Sequence, residues 1–226
     1  MARPAASSAD PLPESPKLVG GRLCLDFVNT VASRPPARKP RPAGKAEGPI
    51  GRDRLGDYSD LVRWSRGAGA LTRGEAEELR GRGGRRPAEA GAAFRRAVSL
   101  REAIYRIFVS VIREWEAQAS DLEVLNREVA AARARERVVA GEQGFGWEWD
   151  RRPAGLDRVL WPLSRSAAEL LTSADLAFIR ECQGEDCGWL FLDTSRNRTR
   201  RWCDMRDCGN LAKVRRFRRR RRAKPR

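Results

Sequence analysis

Four of the five cysteines in this 226-residue, histidine-free chain fall into two matched pairs. Cys182 and Cys187 have four residues between them, fifteen follow, and Cys203 and Cys208 repeat the four-residue gap. Two short-spaced pairs across a hairpin-length insert suit one tetrahedral zinc site. Each pair needs a tight turn to aim both sulfurs at one ion, and Gly188 and Gly209 directly follow the second cysteine of each. Four thiolates leave no open position on the metal, so such a zinc is structural. Two disulfides or four buried thiols remain the alternatives. The fifth cysteine, Cys24, lies in an apolar run and is expected to be a buried structural thiol.

Other chemistry is hard to find. Without histidine, Ser-His and Cys-His nucleophile pairs are excluded. No GxxxxGK[ST] loop or GxGxxG turn is present, and the chain is expected not to be an enzyme. Asp26 and Asn29 form a polar pair that could line a ligand pocket, although a strand-end turn is the simpler reading.

The segment that positions the cysteines reads CQGEDCGWLFLDTSRNRTRRWCDMRDC. Residues 189–192 suggest a strand, 193–197 a turn, and 198–202 a return strand. Leu211, Val214 and Phe217 then fall three apart, the spacing of one helix face. Val214 and Phe217, together with Trp189, Phe191 and Trp202, are expected to fill a small core. A cysteine knuckle, a hairpin and a helix bearing the last ligand form a treble-clef-like finger, although the spacing also permits a zinc ribbon.

Residues 182 to about 219 resemble the CGNR zinc finger family. The resemblance rests on Cys208-Gly209-Asn210, Arg201-Trp202-Cys203-Asp204-Met205, Leu192-Asp193-Thr194-Ser195 and Lys213-Val214. Leu211 stands where the family's namesake arginine belongs. Upstream, residues 21–30 (GRLCLDFVNT) and 166–171 (SAAELL) are similar to the ABATE domain that accompanies this finger in bacterial proteins. Such proteins are regarded as stress-induced transcription regulators, so the resemblance implies a DNA-binding finger behind a sensing or dimerisation domain.

The charge points the same way. Net charge is +16, and residues 180–226 hold 16 Lys and Arg against 6 Asp and Glu. Arg196, Arg198, Arg200 and Arg201 on the hairpin, and Lys213, Arg215, Arg216, Arg218, Arg219, Arg220, Arg221 and Arg222 beyond it, are the candidate nucleic-acid contacts. Successive arginines point all round a helix, so most would serve phosphate rather than bases. Double-stranded DNA is the expected partner. RNA, or a protein partner with the zinc only stapling the fold, are the alternatives, and a homodimer is among the expected states.

The rest of the chain reads as what carries the finger. Residues 1–16 have the composition of a disordered tail, 17–179 of a mainly α domain with a small antiparallel β-sheet, and 180–226 of the finger. Residues 18–30 alternate like a strand, and 34–54, with seven basic residues against two acidic, like a mobile basic loop. Helices are expected after Asp57, after the Thr72/Glu75 capping box, from Pro87 to about Ala119 and after Asp121, with a break at residues 81–86. Phe145, Trp147 and Trp149 alternate in a strand expected to pair with residues 23–28. A helix over residues 156–171, with Pro162 kinking or restarting it, leads to a short last helix capped by Ser173 or Asp175. No apolar run spans a membrane and no secretory signal is legible, so the chain is expected to be cytoplasmic with reduced thiols.

Overall fold

A computed structural model describes residues 16–34, 52–142, 144–150, 152 and 155–222, the last three by backbone alone. The expected disordered tail, save Pro16, and most of the basic loop lie outside the described residues. The fold is mainly helical with two small two-stranded antiparallel sheets.

The centre is α1, Leu23–Val28, a six-residue helix where a strand was expected. Every residue from Cys24 to Val28 is buried. A segment buried on all sides, with Asp26 buried among the apolar residues, carries no reliable period, so its conformation is set by what surrounds it. Gly20 and Gly21 turn the chain into it, Gly21 at φ +77°. It then lies against α4 (Pro87–Ile112), α6 (Trp161–Leu171) and the late strand β4 (Leu190–Leu192).

The helices around it start where their caps dictate. The Asp57 carboxylate accepts from Asp60 N–H at 2.8 Å and opens α2, Tyr58–Gly67. Thr72 and Glu75 close a reciprocal capping box on α3, Arg73–Arg85. The expected break over residues 81–86 is absent until its last residue, because α3 runs through three of its glycines. A Cβ on Gly83 would sit 3.0 Å from the Tyr58 ring, so that glycine admits a neighbour rather than ending a helix. Pro87 occupies the first turn of α4. That helix ends at Ile112, short of the expected Ala119, with Glu114 turning the chain at φ +54°. α5 spans Ala119–Arg133, with Gln118 at its N-cap position making no side-chain bond. Asp121, the expected cap, is buried and accepts three bonds of 2.6–3.0 Å from the Arg106 guanidinium.

The strand containing Phe145, Trp147 and Trp149 is present as β2, Gly144–Trp149. Its partner is β1, Glu136–Gly141, not residues 23–28. A period of two reports that one face differs from the other but says nothing about the neighbour. A 3-10 turn at Leu156–Leu160 feeds α6, with Pro162 in the first turn. A further 3-10 turn, Ala174–Phe178, follows Ser173 and leads into β3, Ile179–Glu181, which pairs with β4.

One core serves both halves of the chain. Ile179, Leu190 and Leu192 pack in the same cluster as Leu25, Phe27, Leu61, Phe108 and Leu163. Beside it lies a buried ionic network. Arg101, fully buried, donates to Asp53 at 2.5 and 2.8 Å, to Glu102 at 2.9 Å and to Thr30 at 3.0 Å. Arg34 donates twice to the same Glu102, at 2.7 and 3.1 Å, and stacks 4.1 Å over the Tyr105 ring.

Burial opposes ionisation of Glu102, but the hydrogen bonds and charges of Arg34 and Arg101 outweigh it and hold its carboxyl below the ordinary value. A depressed folded value stabilises the fold above the ordinary glutamate pKa of about 4.3 and is lost as pH falls below it. Glu102→Ala should cost about 3–5 kcal/mol in denaturant unfolding at pH 7, because it leaves the buried Arg34 guanidinium without its carboxylate and takes one of two from Arg101. It should also flatten the acid limb of the stability curve.

Candidate metal centre and nucleic-acid interface

The four cysteines converge as the spacing requires. The β3–β4 hairpin carries Cys182 and Cys187 in its loop, and Gly188 there adopts φ +63°. The second pair is delivered by a turn capped by Asp204, whose carboxylate accepts from Arg206 N–H at 2.8 Å. Cys208 sits in a wide helical turn, Met205–Gly209, that runs directly into α7, Asn210–Arg222. All four Sγ atoms lie within 4.8 Å of one another. Cys187 and Cys203 sulfurs are 3.6 Å apart and Cys203 and Cys208 3.7 Å. Zinc–sulfur bonds of about 2.3 Å in a tetrahedron place sulfurs about 3.8 Å apart, whereas a disulfide needs about 2.05 Å. The geometry fits one ion and no bridge.

The protonation of the cluster agrees. Hydrogen bonds from Cys187 and Cys203, aided by the Cys203 and Gly184 backbone N–H groups, pull the Cys182 thiol well below its ordinary value. Its thiolate in turn pushes Cys187 and Cys203 up. One negative sulfur thus resists its neighbours, and a divalent cation relieves that conflict. Zinc would be held by Cys182, Cys187, Cys203 and Cys208.

The return strand expected over residues 198–202 is absent. The buried Asp193 carboxylate instead gathers the turn, accepting from Ser195 N–H and Oγ and from Arg200 N–H at 2.6–3.0 Å. Gln183 N–H then binds the Arg201 carbonyl at 3.0 Å, bringing the second cysteine pair beside the first. The finger's apolar filling is smaller than expected. Cys182, Trp189, Phe191 and Cys203 are buried together with Val19 and Trp202 against them, whereas Leu211, Val214 and Phe217 are exposed.

Both members of the suspected Asp26/Asn29 pocket serve packing. Gly20 N–H donates to Asp26 at 2.7 Å, and burial pushes that carboxyl up to about 6 against the pull of the Gly20 and Val19 backbone. Asn29 donates to the Leu190 carbonyl at 2.8 Å and accepts from Leu190 N–H at 2.9 Å, so it acts as an extra strand residue for β4. Three contacts the sequence did not reveal reinforce it. Trp189 Nε1 donates to the Val31 carbonyl at 2.8 Å, Arg34 N–H to the Cys187 carbonyl at 3.2 Å, and Leu192 N–H to the Gly20 carbonyl at 2.8 Å. A Cβ on Gly188 would stand 2.7 Å from the Arg34 Cβ, so only glycine lets the knuckle approach this closely. Lys17 forms ion pairs with Asp204 and Asp207 from the other side.

Residues 21–174 match ABATE, described as a "Putative stress-induced transcription regulator". The chain belongs to the ABATE family. Residues 179–221 match the CGNR zinc finger, so the four-cysteine site is the zinc site of that finger, downstream of the ABATE domain. No curated protein matches the chain.

The candidate basic contacts divide into two groups. Arg198, at φ +51°, donates to the Asp193 carbonyl and covers the Phe178 ring. Arg200 donates to the Trp202, Cys203 and Val19 carbonyls and lies over Phe191. Both are spent on holding the turn. Arg201 is exposed but reaches Gln183 at 2.7 Å, and Arg215 pairs with Glu185 at 2.9 Å. Arg196, Lys213, Arg216, Arg218 and Arg219 are exposed. The side chains of Arg220, Arg221 and Arg222 lie outside the described residues.

Purified chain should hold one zinc, and Cys203→Ser should abolish it by metal analysis. Affinity should fall as pH is lowered, because protons compete for the same four sulfurs. Asn29→Asp should weaken the fold by about 2–4 kcal/mol in denaturant unfolding with the zinc retained. It leaves the Leu190 carbonyl without its donor and buries a charge.

Proposed function

We propose that the chain is a zinc-dependent DNA-binding regulator whose finger presents α7 to duplex DNA. The observation that carries this reading is the anchoring of an eight-fold basic helix, Lys213 to Arg222, directly on the last zinc ligand. Cys208 and the Asp204 cap fix where the helix starts, and its basic side chains extend from that fixed origin. Phosphate attraction supplies the affinity, and the exposed Lys213, Arg216, Arg218 and Arg219 are its first contributors. Arg198 and Arg200 hold the turn and do not reach for bases. Leu211, where the family carries arginine, is exposed on the same helix. It removes one guanidinium from the interface and leaves a side chain suited to apolar contact such as a thymine methyl.

The upstream ABATE domain is docked to the finger through α1 and the Arg34 segment. It therefore sets the direction in which α7 points, which suits a sensing or dimerising module.

Fluorescence anisotropy of the full, zinc-loaded chain on duplex DNA tests the reading, with structured RNA as competitor. Binding should weaken with salt. Lys213→Ala, Arg216→Ala and Arg219→Ala should each lower the slope of log affinity against log salt by about 0.9. Arg200→Ala should instead lower the thermal midpoint. Absence of duplex binding at low salt, or displacement by RNA at lower concentration than by DNA, would defeat this reading.

A further inference from the structure

The β1–β2 hairpin stands apart from the core with its apolar side chains uncovered. Phe145 is 84% exposed, Trp147 63% and Val138 57%. Its root is anchored, where Trp149 packs 5.6 Å from Trp161. An isolated two-stranded ribbon is marginal in water. Exposed edges are normally blunted by charged side chains, proline or a bulge. β2 reads Gly-Phe-Gly-Trp-Glu-Trp in a continuous register, with no proline or bulge and with Glu148 as its one charge.

The parity of the ladder shows which groups face outward. Asp150 N–H donates to the Arg135 carbonyl at 2.6 Å, continuing the register that pairs Gly141 with Gly144. In antiparallel pairs the bonded positions alternate, so Gly144, Gly146 and Glu148 turn their backbone groups to β1. Phe145, Trp147 and Trp149 therefore turn theirs away from β1, to an edge with no partner strand among the described residues.

We propose that β2 pairs antiparallel with β2 of a second copy, across a two-fold axis at Gly146. This register sets Phe145 opposite Trp147 of the other copy, and both outward-turned residues exchange backbone bonds twice over. The two Gly146 residues meet at a non-bonded position, where backbones approach closest, and neither has a side chain to clash. A Cβ there would meet nothing within 4 Å in the single chain, so no internal contact accounts for the glycine. The same register sets Phe145 on the same face of the joined sheet as the other copy's Trp147, and one surface serves both copies, as a two-fold interface requires.

Charge permits a second copy on this surface. Two chains at +16 repel least where they meet away from the basic finger. The hairpin's own charges are largely paired, Glu136 with Arg165 at 2.8 Å and Glu148 with Arg137 at 3.6 Å. Glu148 falls opposite Gly144 of the other copy, so no like charges face each other. This interface is independent of nucleic-acid binding.

The test uses the full, zinc-loaded chain. Sedimentation equilibrium should give a dimer, and Phe145→Ser with Trp147→Ser should raise its dissociation constant at least about 100-fold with the helical circular dichroism unchanged. Register is tested by oxidation of single-cysteine variants against the wild type. Gly146→Cys puts two cysteines about 4.5 Å apart between Cα atoms, within the reach of a disulfide, and should cross-link. Glu148→Cys puts them four residue steps, about 13 Å, apart and should not. A wild-type chain monomeric at about 100 μM would overturn the proposal and point to a different occupant of the edge. A dimer surviving the double serine variant, or equal cross-linking at both positions, would overturn it as well.

Discussion

The side chain of Asn29 and the backbone of Leu190 close a two-bond clamp on which the relation of the two halves depends. It lies at the end of α1, the most buried helix, and it grips β4, the strand that leaves the zinc knuckle. Around it, Trp189, Arg34 and Leu192 make further bonds across the same seam. A four-cysteine finger usually owes its fold to the metal because its own core is too small. This finger has a second support, since three of its residues lie in the core of the preceding domain. Zinc and upstream packing therefore stabilise one unit, and the loss of either is felt by both.

That arrangement also explains how arginine is used. A basic segment is commonly read as a uniform electrostatic surface, yet two of its guanidinium groups, on Arg198 and Arg200, fold back to satisfy carbonyls and cover aromatic rings. A planar fork with several donors can satisfy multiple carbonyls at once, which lysine cannot do. Most of the remaining charge lies on α7, where no core competes for it. The zinc and the turn thus fix the direction of the helix, and the helix carries the charge left over.

How much of this was legible in sequence follows from which signals are local. The four ligands were legible because thiolate pairs at equal spacing have few uses. The Thr72/Glu75 cap was legible because its bonds span three residues. α1 reads as a strand in sequence because Leu-Cys-Leu-Asp-Phe-Val is buried around nearly its whole circumference, its one polar side chain, Asp26, included, so strand and helix fit it equally. Gly83 was misread because a glycine that admits the Tyr58 ring looks in sequence like one that ends a helix. Asn29 was noticed as a polar residue in an apolar setting, but its partner lies 161 residues away. The boundary between 17–179 and 180–226 follows composition, whereas packing runs across it. The inward turn of Arg198 and Arg200 had no signature, because residue type gives charge and reach but not direction.

The central claim is that the zinc knuckle and the ABATE core form one cooperative unit, and hydrogen exchange on chelation tests it most directly. With zinc bound, backbone amides of residues 25–34 should exchange slowly together with those of 182–192. On removal of the metal both groups should lose protection in parallel, while α3, distant from the seam, is affected last. Exchange that accelerates only within residues 182–209, with α1 and the Arg34 segment as protected as before, would contradict the account.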